Sequence, residues 1–132
     1  MASNQRLYPF LYADDVRAYV TFLDKAFGFK ETLFHVDPQD SEHVHAETAL
    51  GDAVVMIGQA TPKFGTASAR KAPAVIASIY AYVDDVDAHC RQARAAGAKI
   101  EDEPTDKPWG DRMYTARDCE GHQWYFATRR PA

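Results

Sequence analysis

Apolar positions along the first half of the chain change period several times, and each change marks an element. Tyr8, Phe10 and Tyr12 alternate with their neighbours, which predicts a strand near Gln5 to Ala13. Val16, Tyr19, Val20, Leu23 and Phe27 then fall at i, i+3, i+4, i+7 and i+11, one face of a helix. Asp14 or Asp15 is placed to cap that helix, and Gly28 to stop it. Glu31 to Val36 reads as a strand, and Asp37-Pro38-Gln39-Asp40 as a turn. His43 to Leu50 alternates, Gly51-Asp52 turns, and Ala53 to Ile57 is a further apolar strand. The order is β-α-β-β-β.

The same order then returns. Ala13-Asp14-Asp15-Val16-Arg17-Ala18 recurs as Val83-Asp84-Asp85-Val86-Asp87-Ala88, 70 positions later. Ala74 to Val83 predicts a strand and Asp85 to Ala96 a helix, with Val86, His89, Cys90 and Ala93 inward. Ile100 lies in a short strand, and Glu101 to Gly110 reads as a loop containing two prolines and Trp109. Arg112 to Arg117 and Gln123 to Thr128 form a hairpin around Asp118-Cys119-Glu120-Gly121. Thr61 to Pro73 has no period and is rich in breakers, so it reads as a linker. The expectation is one α+β domain of two βαβββ modules, residues 1–60 and 74–132, joined by 61–73. A repeat of half the chain is not a solenoid. It directs attention to the space between modules as a binding site.

Composition narrows the function classes. The 132 residues are 46% hydrophobic and 26% charged, ordinary globular values for one domain. No apolar run reaches membrane-spanning length, and no signal peptide is visible, because Asn4, Gln5 and Arg6 lead straight into strand-like sequence. Cys90 and Cys119 are too few for a disulfide framework or zinc ribbon, so a cytoplasmic, reducing setting is expected. A net charge of −4 argues against nucleic acid as a partner, and Arg129-Arg130 reads as a solvated tail.

Several residues carry candidate chemistry. Tyr8, Phe10, Tyr12 and Tyr125 are placed to form an aromatic wall for planar or cationic ligands, with core packing as the plain alternative. Tyr80 and Tyr82 occupy the equivalent strand of the second module. Trp109 sits in a loop able to rim a site, and Arg112 is placed either to meet an anionic ligand or to pair with Asp111 or Glu103. His43, His45 and Glu47 alternate along one strand and so share a face, where they line a cavity, hold one divalent metal ion, or form a solvated polar face. His89 reads as structural and His122 as a turn residue. Nothing near Cys119 marks it as a nucleophile. No Ser-His-Asp arrangement, phosphate loop or Rossmann fingerprint is present.

The two modules, with Asp15-Val16, Ala26-Phe27-Gly28-Phe29, Trp109-Gly110-Asp111-Arg112 and Asp118-Cys119-Glu120-Gly121-His122-Gln123-Trp124, resemble the vicinal oxygen chelate superfamily. That superfamily includes glyoxalases, bleomycin-resistance proteins and extradiol dioxygenases. Cys119 stands where its recurring segment usually has proline. The resemblance covers nearly the whole chain and speaks to fold more than to activity. Its metal-dependent members carry His, Gln or Glu at the first and last strands of each module. Counting from the Asp-Asp-Val sequences and the turn glycines, those places are Tyr8, Ser78, Val55 and Tyr125, or Met56 and Phe126 after a slip of one. None suits such a metal. The resemblance thus implies a metal-independent small-molecule binder, with antibiotic sequestration as one role. Its ligand-binding residues would be Tyr8, Phe10, Tyr12, His45, Glu47, Trp109, Arg112 and Tyr125. A homodimer is expected, with modules pairing within a chain or across two. The alternative is a metal-dependent lyase, isomerase or dioxygenase-like enzyme using His43, His45 and Glu47.

Overall fold

Both Asp-Asp-Val sequences start helices. Asp15 accepts the backbone N–H of Ala18 at 3.0 Å, and Asp85 accepts that of Ala88 at 3.1 Å. Each carboxylate thereby pairs a first-turn donor that a helix leaves open. The structure, a computed structural model, describes residues 4–131. Module one runs β1 (Phe10–Ala13), α1 (Val16–Phe22), β2 (Lys30–Asp37), β3 (Asp40–Leu50) and β4 (Ala53–Gln59). Module two runs β5 (Ser78–Tyr82), α2 (Val86–Ala95), β6 (Lys99–Asp106), β7 (Asp111–Arg117) and β8 (Gln123–Arg129). The strands form two four-stranded sheets, ordered β1-β4-β3-β2 and β5-β8-β7-β6. The first and last strands of each module pair parallel and the others antiparallel.

Three local readings change. The opening strands begin late, at Phe10 and Ser78 rather than near Gln5 and Ala74. Pro9, immediately before β1, has no N–H to give a ladder. The short strand expected at Ile100 is the edge strand β6, and it continues through residues 101–106, where a loop was expected. An edge position tolerates Pro104 because the register shifts between Asp102 and Thr105. The first helix closes in a π-turn, Leu23–Phe27, before Gly28 stops it at φ 84°. That left-handed conformation is one glycine adopts without a steric cost. The linker holds two short 3₁₀ turns, Pro62–Phe64 and Ala69–Lys71.

The predicted helix faces are buried, and they bury against each other's modules. Val16, Tyr19, Val20, Leu23 and Phe27 join Val86, Cys90, Ala93, Trp124 and Phe126 in one core. The Phe27 ring lies 4.7 Å from Phe126 and 5.5 Å from Trp124. His89 stacks in the same group, 4.4 Å from Phe126. Its Nε2 lies 2.8 Å from the Phe27 carbonyl, which only accepts, so Nε2 carries the proton. Nδ1 then accepts the Tyr114 O–H at 2.6 Å.

A polar junction complements this core. Asp118 is buried, and four donors meet it: Tyr19 O–H at 2.6 Å, Trp124 Nε1–H at 2.8 Å, and the N–H groups of Glu120 and His122. Burial pushes its carboxyl pKa up and these donors oppose the rise. Glu120, also buried, accepts the Asp14 N–H at 2.9 Å, the Asp15 N–H and the Ser68 hydroxyl at 2.6 Å. One turn of module two therefore holds the start of α1 and the linker.

Two outcomes follow from this junction and core. Glu120→Ala removes the acceptor from three donors, and urea unfolding is expected to show a loss of about 2–4 kcal/mol. Burial lowers the His89 pKa below its ordinary 6.5. The unfolded chain then takes up the proton first as pH falls, so the stability held above about pH 6.5 is lost on acidification toward the lowered folded value. The unfolding midpoint of the native chain is expected to fall more steeply from pH 7.5 to 5 than that of His89→Gln.

Candidate functional site: the open faces of the two sheets

Strand alternation sorts every sheet residue into a core face or an opposite, open face. In β4, Val55 and Ile57 are buried in the core, so Met56 and Gly58 face the other way. In β8, Trp124 and Phe126 are core residues and Tyr125 is open. Across the first sheet Phe10 neighbours Met56, which neighbours Glu47; Tyr12 neighbours Gly58, which neighbours His45. Across the second, Tyr80 neighbours Tyr125, which neighbours Thr115. Met56 is therefore the counterpart of Tyr125, and the counted position Val55 is corrected to it. The counting slips because β3 and β4 join through Gly51-Asp52, whereas β7 and β8 join through the five residues 118–122. The two turn glycines are not equivalent.

Phe10 and Tyr12 form a wall on the first open face, with ring centroids 5.2 Å apart, and His45 lies 5.6 Å from Phe10. Gly58 makes the wall possible. A Cβ there would stand 2.9 Å from the Phe10 ring and 3.3 Å from that of Tyr12. A cavity of about 320 Å³ follows, lined by Phe10, Tyr12, His43, His45 and Phe64 among others. His45 Nε2 lies 2.9 Å from Glu47 Oε2. A carboxylate accepts, so Nε2 carries the proton, and in the neutral ring Nδ1 presents a lone pair. His43 instead meets Asp37 at 3.2 Å. His43, His45 and Glu47 do share a face, yet no three His, Cys, Asp or Glu side chains among the described residues gather as a metal set. Tyr8 lies just before β1, half-buried. Tyr8, Met56, Ser78 and Tyr125 do not fit a divalent metal that wants imidazole and carboxylate ligands.

The second open face is richer. Tyr80 and Tyr82 both donate to Asp111 Oδ2, at 2.5 and 2.8 Å. Trp109 donates its indole N–H to the Tyr80 oxygen at 3.1 Å. Tyr125 stacks obliquely 5.9 Å from Tyr80. Thr115, beside Tyr125, is buried with its hydroxyl unpaired among the described residues. Arg112 is elsewhere. It lies on the helix side of β7, held by Asp87 at 3.0 Å and Asp106 at 3.2 Å, because successive residues of a strand face opposite ways. The Arg129-Arg130 pair is no solvated tail, since β8 runs through Arg129, whose guanidinium lies 4.4 Å over the Tyr82 ring. Asp111 is the residue the sequence reading missed. Its alternation with Met113 and Thr115 carried the signal, but the expected strand began one residue later.

A cavity of about 510 Å³ lies between the modules. Phe10 and Leu11 line one side, Ser78, Ile79 and Gln123 the other, and linker residues including Ala72 and Pro73 cover it. It takes in Phe10 but neither Tyr125 nor Trp109. Cys119 is exposed, and desolvation by its surroundings pushes its thiol up to about 11, away from nucleophilic use.

Residues 6–126 match the Glyoxalase/Bleomycin resistance protein/Dioxygenase superfamily, and the chain belongs to that superfamily. An uncharacterised protein of Mycobacterium tuberculosis is 31% identical over 121 residues, covering 89% of this chain and 71% of that protein. The structure of TioX from Micromonospora sp. ML1 is similar at 32% identity and a TM-score of 0.75, over 96% of this chain and 99% of that one. The fosfomycin resistance protein FosX from Mesorhizobium loti shares the fold at 17% identity and a TM-score of 0.69, over 96% and 92% of the two chains. No helix among the described residues is long and apolar enough to cross a membrane.

The tyrosine hydroxyls hold the Asp111 carboxyl below its ordinary range, against the opposing effect of burial. Replacing both Tyr80 and Tyr82 by Phe is expected to raise that pKa, read from the carboxyl carbon in an NMR pH titration.

Proposed function

We propose that this chain is a metal-independent small-molecule binding protein of the glyoxalase/bleomycin-resistance type. It holds an aromatic or amphiphilic ligand, with an antibiotic as one class, against the open sheet faces. The observation that carries this reading is the chemistry of those faces. Tyr8, Met56, Ser78 and Tyr125 stand where metal-dependent relatives hold their ligands, and Phe10, Tyr12, Tyr80 and Tyr125 supply apolar, stackable surface. Exposed Phe10, Tyr80, Tyr82 and Trp109 also favour a homodimer in which a second copy closes over these faces and leaves the ligand cavity open between the copies. A fold neighbour that is a fosfomycin resistance protein supports drug resistance as a role the fold hosts.

A second reading has one observation in its favour. The His45–Glu47 pair fixes an imidazole with a free Nδ1 beside an aromatic cavity, an arrangement suited to acid–base chemistry in a lyase or isomerase.

Native mass spectrometry of untagged protein, purified without chelator, separates the two. The expected result is a dimer without stoichiometric metal that retains or accepts an organic ligand. One metal per subunit, lost in His45→Ala, overturns the proposal in favour of an enzyme. For any ligand so identified, Tyr8→Ala and Tyr125→Ala are each expected to weaken binding about tenfold. Unchanged affinity in both would remove the aromatic wall from the site.

A further inference from the structure

Asp111 is 5% exposed, yet the rings it orients are open to solvent. Tyr80 is 41% exposed, Tyr82 46% and Trp109 62%. One buried carboxylate oxygen holds both tyrosine hydroxyls, and the Tyr80 oxygen in turn holds the indole. The result is three aromatic rings gathered by one anion into a cage, of which Tyr82, Trp109 and Asp111 line a cavity of about 460 Å³. Such rings present negative faces that attract a cation, more strongly when solvent is partly excluded.

The charges around the cavity show how it would be used. Arg129 is the strand partner of Asp111. Its guanidinium rests on the Tyr82 ring and forms no ion pair among the described residues. Arg130 also lines this cavity, but its guanidinium is engaged, donating to the Lys107 carbonyl at 2.8 Å and lying 3.7 Å from Asp106. Hence one internal cation already sits on the cage wall, held by a ring face and the nearby Asp111 charge rather than by a direct carboxylate contact.

We propose that Asp111, Tyr80, Tyr82 and Trp109 form a subsite for a cationic group of the ligand, a quaternary or protonated amine, which displaces the Arg129 guanidinium from Tyr82. The inference rests on the reading of the open faces as a small-molecule site and specifies the charge of what binds there. In module one the same strand positions carry Phe10, Tyr12 and His43 in place of Tyr80, Tyr82 and Asp111. The buried anion is thus particular to the second face, and so is the preference for a cation.

Choline and 3,3-dimethylbutan-1-ol test this directly, since they share a shape and differ in charge. The readout is the Trp109 indole N–H resonance in labelled full-length protein, with the buried Trp124 as an internal reference. Choline is expected to shift Trp109 saturably, and the neutral alcohol to bind at least about tenfold more weakly. Asp111→Asn should lose about tenfold in choline affinity, and Arg129→Ala should gain about threefold by removing the competitor. Equal binding of the two probes would overturn the cation subsite while leaving an apolar cavity standing. Failure of both probes to shift Trp109, even in Arg129→Ala, would overturn the subsite and count against a ligand cavity on this face. Should Asp111→Asn not fold, the exposed Trp109→Ala decides, read at the Gly110 amide: unchanged choline affinity there overturns the cage.

Discussion

Two buried carboxylates in one turn hold the molecule together. Asp118 and Glu120 both lie in the β7–β8 turn, and between them they accept from Tyr19, Trp124, Asp14, Asp15 and Ser68. Neither acid could be buried without those donors, because an ionised group taken from water costs several kcal/mol unless it is fully paired. The donors come from module one, from the linker and from module two itself. Docking the modules is therefore what makes the turn tolerable. Gly121 completes the contact, since a Cβ there would stand 2.8 Å from the Arg70 backbone nitrogen.

That junction decides which faces of the two sheets stay open. The helical faces of both modules are consumed in the common core around Phe27, His89, Trp124 and Phe126. Each sheet is left with its other face, and those faces carry Phe10, Tyr12, Tyr80, Tyr82 and Tyr125 rather than the usual charged cover of a solvated sheet. Aromatic area left open this way is what the proposed ligand reading draws on. The rigid core behind it also preorganises the side chains in front, as Gly58 shows by making room for two rings.

The two modules have diverged in chemistry more than in backbone. At matching strand positions one has Phe10, Tyr12, His43, His45 and Glu47, and the other Tyr80, Tyr82, Asp111, Met113 and Thr115. The first face offers imidazole and a solvent-touched carboxylate. The second offers a buried carboxylate within tyrosine hydroxyls. A ligand spanning both would meet different polar anchors at each end, a simple route to orientation and specificity.

Much of this was determined by the sequence alone. The period of Val16, Tyr19, Val20, Leu23 and Phe27 defines a helix face because local geometry sets which residues share a side, and the repeated Asp-Asp-Val marks both caps for the same local reason. The shared face of His43, His45 and Glu47 was legible likewise. Tertiary structure decided what depends on pairing partners distant in the chain. Strand register placed Met56, not Val55, opposite Phe10, and turned Arg112 toward Asp87. A one-residue change in the length of a turn reverses a strand's faces, and no local period reports it. Only the folded chain brought Tyr80, Tyr82 and Trp109 to Asp111, because those bonds join residues about thirty apart in sequence through the pairing of β5, β8 and β7.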